Sequence, residues 1–239
     1  MVLVCHEHEF IYQKTLKTAG TSVEMALEPL CAPAGHVVRE PTPARFSDYG
    51  IVGARRGPAN EDQTGWRSHL PASKTKALIG DRIWNSYERI AVIRNPFDKA
   101  VSWFFWKTRR SNIAPDERVS AFRSFLKDRA ERGYFRSDAD IDWQTCHLDG
   151  RLIINKFLKM ETIRADLDEL AAGWEIPRET LAMPATKTKV RASDKLPVAA
   201  YFDQPSIDIL LKEQDWLFRA GRYPQRPESV ERASARLVA

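Results

Sequence analysis

The stretch that decides the fold reads Phe10-Ile-Tyr-Gln-Lys-Thr-Leu-Lys-Thr-Ala-Gly-Thr-Ser-Val-Glu-Met-Ala-Leu27. It begins as a short apolar strand over residues 10–13, continues as a turn that carries Lys17, and ends as an amphipathic helix predicted over residues 21–30. The first N–H groups of a helix and its dipole both favour an anion at the N-terminus. The stretch therefore predicts a turn that holds a phosphate-like group.

The stretch fits an amphipathic helix, but it also leaves one alternative open. Glu24 and Glu28 lie outside the apolar stripe by which the helix is expected to face the core. The same residues also suit an ordinary strand–turn–helix unit in which Gly20 is a hinge and Thr21 or Ser22 is the N-cap. Short motifs of this kind arise by chance, so a second motif is needed.

The second motif reads Arg89-Ile-Ala-Val-Ile-Arg-Asn-Pro-Phe-Asp-Lys-Ala-Val-Ser-Trp103. Its continuous apolar run predicts a strand that is buried on both faces, and Asn95 followed by proline predicts the start of a helix. Ser102 lies about two helical turns beyond Asn95, so an anion near that face could meet both Arg94 and Ser102. The alternative is that Arg94 caps the strand end and Ser102 faces solvent.

Together the two motifs resemble those of sulfotransferases that use 3′-phosphoadenosine 5′-phosphosulfate (PAPS). The order Lys-Thr-Ala-Gly-Thr-Ser is similar to their 5′-phosphosulfate loop, and Arg-Asn-Pro-Phe followed by serine is similar to their 3′-phosphate motif. The resemblance implies that Lys17 stabilises the leaving phosphate and that Arg94 and Ser102 bind the 3′-phosphate. The residues that it assigns to the 5′-phosphosulfate are Lys17, Thr18, Ala19, Gly20, Thr21 and Ser22. One departure is Leu16, where relatives commonly have proline.

A histidine between the two motifs is the candidate general base. His69 precedes a predicted short helix, at a place where relatives that sulfate sugar hydroxyls often have their base. An imidazole suits proton removal near neutral pH. The alternatives are that His69 caps the helix or packs in the core, and that a carboxylate is the base instead. The candidate carboxylates are Glu7, Glu9 and Glu61.

A basic loop nearer the C-terminus is a further candidate. Residues 183–191 carry Lys187 and Arg191, and in the sulfotransferase family a basic loop at a comparable place closes over the nucleotide. The alternative is a charged surface loop.

The composition limits the class of protein and of partner. The 239 residues are 43% hydrophobic and 29% charged, which is typical of a globular protein. Three scattered cysteines indicate no disulfide framework, and no apolar run could span a membrane, so we expect a cytoplasmic protein without a membrane partner. The net charge of +5 is not gathered into one tract, and no nucleic-acid partner is expected. His6 and His8 lack the further ligands of a zinc site, so no metal is expected.

Strands that alternate with helices predict an α/β fold. We expect a P-loop-NTPase-like, three-layer fold with a central, mostly parallel sheet covered by helices on both faces. Residues 1–223 are predicted to form a single sulfotransferase-like domain, and residues 224–239 a poorly ordered tail. Ligands of parallel sheets bind beyond the carboxyl ends of the strands, which is where both motifs lie.

The sequence therefore predicts a PAPS-dependent sulfotransferase. It would move a sulfuryl group in line to a hydroxyl of a carbohydrate or small metabolite and release 3′-phosphoadenosine 5′-phosphate. One alternative is a P-loop-like nucleotide-dependent kinase, which the reversed order of lysine and glycine disfavours. The other is a non-catalytic nucleotide-binding protein that lacks a base. The residues leave the acceptor and the oligomeric state open.

Overall fold

The computed structural model describes residues 1–55, 65–184 and 196–230. The chain forms two compact units, and each is described by itself. The first comprises Met1–Val92 and Ile141–Thr186, and the second comprises Ile93–Asp140 and Lys187–Ala239. The single domain over residues 1–223 stays a prediction.

Six strands form the main sheet, in the order β3-β4-β1-β2-β5-β8, and β6 and β7 form a separate hairpin. The bounds of the strands are β1 Val2–Cys5, β2 Phe10–Gln13, β3 Arg45–Ser47, β4 Gly50–Val52, β5 Glu88–Ile93, β6 His147–Leu148, β7 Arg151–Leu152 and β8 Lys156–Lys159.

Eight α-helices lie in the described part of the chain. Their bounds are α1 Gly20–Leu27, α2 Ala72–Ser86, α3 Pro96–Lys107, α4 Arg118–Glu131, α5 Ile141–Cys146, α6 Ile163–Gly173, α7 Gln204–Glu213 and α8 Asp215–Gly221. Short 3₁₀ helices lie at Glu28–Cys31, Pro115–Glu117, Met160–Thr162, Arg178–Leu181, Val198–Tyr201 and Pro227–Ser229. The α/β class is confirmed.

The expectation of a mostly parallel sheet is corrected, because antiparallel pairs dominate. β1 pairs antiparallel with both β2 and β4, and β3 pairs antiparallel with β4, whereas β2 and β5 pair parallel. The physical reason is the short connection between β1 and β2. Four residues can join antiparallel neighbours, but parallel strands need a crossover of a dozen or more residues.

In the first unit helical segments cover both faces of the β1–β2 hairpin. Val4 and Ile11 are register partners and pack with Trp84 of α2 on one face. On the other face Phe10 stacks on Trp174, with ring centroids 4.9 Å apart, and the Cys5 thiol donates to the carbonyl oxygen of Leu30. This two-sided cover fixes the register of the hairpin, since a shift of one residue would exchange its faces.

The first helix ends earlier than the predicted residue 30. α1 stops at Leu27 and a 3₁₀ turn follows, because Pro29 has no N–H to continue the helix. The expectation for Glu28 is also corrected, since its side chain is fully buried. Its Oε2 accepts from Arg55 Nη2 at 2.6 Å, and Arg55 Nε donates to the carbonyl oxygen of Glu40 at 2.7 Å. One buried guanidinium therefore joins the 3₁₀ turn after α1 to the chain near Glu40.

The second unit is built from α3, α4, α7 and α8 around an aromatic core. Its fully or nearly fully buried aromatic side chains are Phe97, Phe104, Phe122, Tyr201, Phe202 and Phe218. The predicted tail is described as far as residue 230, where Pro227 is buried and Val230 packs against this core. Residues 231–239 of the predicted tail lie outside the described residues.

Candidate active site

The turn between β2 and α1 has an unusual backbone. Lys17 and Ala19 have φ angles of 60° and 57°, a left-handed conformation that residues other than glycine rarely adopt. Such a conformation costs on the order of 1–3 kcal/mol and is typical of functional sites. Ala19 is the N-cap of α1, without a side-chain cap, so the alternative in which Thr21 or Ser22 is the N-cap is wrong. Both hydroxyl residues instead lie buried in the first turn of α1.

A buried lysine that the sequence analysis did not single out lies at the base of this turn. Lys14 Nζ is 2.6 Å from Glu24 Oε2 and 3.3 Å from Thr21 Oγ1. Gly20 makes room for it, because a Cβ there would lie 3.0 Å from Lys14 Cγ. No spacing rule would have found this contact, since the two charges are brought together by the reversal of the chain at the turn.

The position of Glu24 corrects the sequence-based expectation. It lies off the apolar stripe, yet its side chain is fully buried. Burial alone would raise the pKa of this carboxyl group, but the charges of Lys14 and of the Met1 amino group lower it to about 2. Glu24 is therefore an anion in the folded protein, and it holds Lys14 in place.

The middle of the turn is tied to its surroundings by hydrogen bonds. The Leu16 N–H donates to Asp142 Oδ1 at 2.7 Å, and Asp142 is buried. The Thr15 hydroxyl donates to the carbonyl oxygen of Val92, and Thr15 Oγ1 lies 2.9 Å from Thr18 Oγ1. The turn is thus held from β5 and from α5, and no local pattern around Asp142 indicates this contact.

His69 is brought to this turn. Its Nδ1 lies 3.2 Å from the carbonyl oxygen of Lys14. A carbonyl oxygen only accepts, so Nδ1 carries the proton and, in the neutral ring, Nε2 is the acceptor. His69 also has a positive φ of 56°, which marks another constrained backbone position.

The surroundings keep His69 neutral. Burial, followed by the charges of the Met1 amino group and of Lys14, lowers the pKa of His69 to about 4. The carboxylates of Asp142 and Glu24 act in the opposite direction and are outweighed. A neutral imidazole with an unprotonated Nε2 has the form that a general base requires.

Arg94 and Ser102 belong to the second unit. Arg94 directly follows β5 and is buried, with its Nε and Nη2 atoms 2.9 and 2.6 Å from Asp98 Oδ2. The predicted start of α3 is confirmed, because Asn95 Oδ1 accepts from the Phe97 N–H at 3.0 Å. Ser102 is half-buried within α3. Asp98 orients the guanidinium of Arg94 and was not among the predicted site residues.

The remaining candidates lie elsewhere or outside the described residues. Glu7 and Glu9 precede β2, whereas the turn follows it. Glu61, Lys187 and Arg191 lie outside the described residues, so their roles stay predictions.

The two histidines near the N-terminus lie in the turn after β1 rather than on a strand. His6 Nδ1 is 2.9 Å from Tyr87 Oη, and the His8 ring stacks on Trp174. Within residues 1–55, 65–184 and 196–230, no group of three or more His, Cys, Asp or Glu residues could hold a metal ion. No helix in the same part of the chain is long and apolar enough to cross a membrane.

Acidification should destabilise the fold through His69. The ordinary pKa of histidine is 6.5, whereas that of folded His69 is about 4. Between these values the unfolded chain binds one more proton, so the free energy of unfolding falls by up to about 1.4 kcal/mol per pH unit. Urea denaturation between neutral pH and about pH 4 measures this slope. The free energy of unfolding of the His69→Gln protein should depend less on pH. An equal slope in both proteins would show that the fold does not hold His69 neutral.

Comparison with known proteins identifies a family for the chain. The model of the sulfotransferase family matches residues 1–204, which include both motifs and His69. No curated protein and no solved structure matches the chain. Because the family match spans most of the 239 residues, the chain belongs to the sulfotransferase family.

Proposed function

We propose that this protein transfers a sulfuryl group from PAPS to a hydroxyl of a carbohydrate or other small metabolite. Membership of the sulfotransferase family supports sulfuryl transfer, and members generally use PAPS with small-molecule or glycan acceptors. The observation that carries the proposal is the bond between His69 and the carbonyl oxygen of Lys14, at 3.2 Å. It joins a neutral imidazole to the turn that carries Lys17.

The turn fits one end of the donor. Lys17 supplies a positive charge, and Thr21 and Ser22 place hydroxyl groups in the first turn of α1, where the helix dipole favours an anion. The left-handed backbone at Lys17 and Ala19 folds the chain tightly before the helix begins. In this role Lys17 stabilises the charge that develops on the leaving phosphate, and residues 18–22 hold the 5′-phosphosulfate.

Arg94 and Ser102 are assigned to the 3′-phosphate. The guanidinium of Arg94 is a fork that suits phosphate oxygens, and Asp98 holds it in one orientation. β2 and β5 run parallel, and each of the two motifs begins where its strand ends. This order agrees with the rule that ligands bind beyond the carboxyl ends of parallel strands.

His69 is assigned as the general base. Its Nε2 takes the proton of the acceptor hydroxyl while the oxygen of that hydroxyl forms its bond to sulfur. The bond between sulfur and the bridging oxygen breaks, and 3′-phosphoadenosine 5′-phosphate leaves. Sulfur is not oxidised or reduced, and the step requires no covalent enzyme intermediate.

Two other functions are less well supported. A nucleotide kinase lacks support because the turn does not have the Gly-Lys-Ser/Thr order of a P-loop. Thermal-shift assays with ATP and with 3′-phosphoadenosine 5′-phosphate distinguish the two, since only the second ligand should raise the melting temperature. A binding protein without a base is tested through His69 below.

Replacing Lys17 should abolish most of the transfer and leave the fold intact. Lys17→Ala removes a charge from the half-buried turn, and the loss of one such group typically lowers the rate by about 10²–10³. Transfer of labelled sulfate from PAPS, screened against hydroxylated metabolites and glycans, measures the effect. Lys212→Ala is the matched control because that lysine is 83% exposed. Transfer at the normal rate by the Lys17→Ala protein would contradict the assignment of Lys17 to the active site.

Replacing Arg94 should weaken nucleotide binding. Loss of charged hydrogen bonds to a phosphate in Arg94→Gln should raise the Kd for 3′-phosphoadenosine 5′-phosphate by about tenfold to a hundredfold. Isothermal titration calorimetry measures this, with 5′-AMP as a ligand that lacks the 3′-phosphate and should bind both proteins alike. Arg132→Gln, at an exposed ion pair, is the control variant. An unchanged Kd in Arg94→Gln would contradict the assignment.

Replacing His69 distinguishes an enzyme from a binding protein. If Nε2 removes the acceptor proton, His69→Gln should lose about 10²–10⁴ in kcat and keep its affinity for 3′-phosphoadenosine 5′-phosphate. The pH dependence of kcat in the wild type should also show an acid limb near the pKa of His69, because only the neutral ring accepts a proton. Turnover as fast as wild type would show that His69 is not the base.

A further inference from the structure

Lys14 contacts both halves of the candidate site in the first unit. Its ammonium group lies 3.3 Å from the hydroxyl oxygen of Thr21, and its carbonyl oxygen lies 3.2 Å from Nδ1 of His69. Thr21 is a candidate ligand of the phosphosulfate, and His69 is the candidate base. A shift of Lys14 would therefore disturb both.

The ammonium group is held rigidly. Lys14 is buried, with 7% of its surface exposed, and its Nζ is 2.6 Å from the fully buried carboxylate of Glu24. Its stem passes beside Gly20, where a side chain would press on Cγ and Cε. A lysine ammonium has only donors, so the Thr21 oxygen accepts from Lys14 and the Thr21 hydroxyl hydrogen points away from the ammonium group.

Burial lowers the pKa of His69, and the charged groups around the ring shift it further. Those that act on it are the Met1 amino group, Lys14, Asp142 and Glu24. Lys14 disfavours the imidazolium form more strongly than Glu24 favours it. The ammonium group of Lys14 therefore acts on His69 through space, while the carbonyl oxygen of the same residue fixes the proton at Nδ1.

We propose that Lys14 is a positioning residue for sulfuryl transfer. Its ammonium group orients the Thr21 hydroxyl to donate to the phosphosulfate, and its charge and carbonyl oxygen keep His69 neutral with Nε2 as the acceptor. Lys14 touches neither donor nor acceptor. The inference rests on the proposed function for its kinetic consequence, but its effect on His69 is a property of the protein alone.

The test compares four variants. Lys14→Met removes the charge and keeps the length of the side chain, and Lys14→Arg restores the charge. Lys14→Met/Glu24→Met replaces the whole buried pair by apolar side chains, a change that folds tolerate better than the loss of one partner. Lys127→Met is the control, because Lys127 also pairs with a glutamate but is 71% exposed.

The first measurement is the NMR titration of the His69 ring, identified by the signal that is absent in His69→Gln. In Lys14→Met the midpoint should rise by on the order of one unit, because a nearby positive charge has been removed. In the double variant it should rise by less, because the opposing charge of Glu24 is removed as well. Lys14→Arg and Lys127→Met should titrate as the wild type does. An unmoved midpoint in a folded Lys14→Met or double variant would overturn the proposal.

The second measurement is steady-state transfer from PAPS as a function of pH. Lys14→Met should lose about tenfold to a hundredfold in kcat, and its acid limb should move to higher pH with the His69 titration. Lys14→Arg should recover part of the loss. A purely structural role predicts a lower melting temperature with unchanged kcat and an unmoved acid limb, and that result would also overturn the proposal.

The two measurements separate this inference from the proposed function. If no acceptor is sulfated by the wild type, sulfuryl transfer from PAPS is wrong for this chain. The NMR titration still decides whether Lys14 sets the protonation of His69. If the wild type transfers sulfate and the titration does not respond to Lys14, only the inference fails.

Discussion

The buried ion pair between Lys14 and Glu24 is the interaction on which the candidate site depends. Taking two charges out of water is unfavourable unless they meet at close range, and here Nζ and Oε2 are 2.6 Å apart. The pair joins the end of β2 to the middle of α1 and thereby sets the path of the turn between them. Its effect extends to Thr21 through the ammonium group and to His69 through the carbonyl oxygen.

Ion pairs between a buried carboxylate and a buried cation also occur at other points of the described chain. Arg55 and Glu28 form a fully buried pair beside α1, and Arg94 is held by Asp98 at the start of α3. In each case a carboxylate fixes a cation that would otherwise sample many rotamers, at the cost of desolvating both groups. In the proposed role of Arg94 at the 3′-phosphate, this means a guanidinium that is oriented before the ligand arrives, which reduces the entropy lost on binding.

Much of the site could be predicted from the sequence because its signals are local. The apolar run before Lys17, the residues at the start of α1 and the Asn-Pro pair before α3 each specify a strand end or a helix start through contacts within a few residues. The family relationship followed from the same two motifs and is confirmed by the match over residues 1–204. The direction of most strand pairs was wrong, because β1 was not predicted as a strand and its short connection to β2 makes that pair antiparallel.

The sequence by itself determined where the two candidate anion-binding motifs begin and which residue types they present, since the backbone propensities of strand, turn and helix are local. Only the tertiary structure decided that Glu24 is buried against Lys14, that Asp142 holds the turn, and that His69 meets the carbonyl oxygen of Lys14. These partners are separated by 10 to 126 positions in the chain. The physical reason is that a charged or polar side chain ordinarily prefers water. It is buried at low cost only when the fold brings a partner from elsewhere in the chain within hydrogen-bond distance.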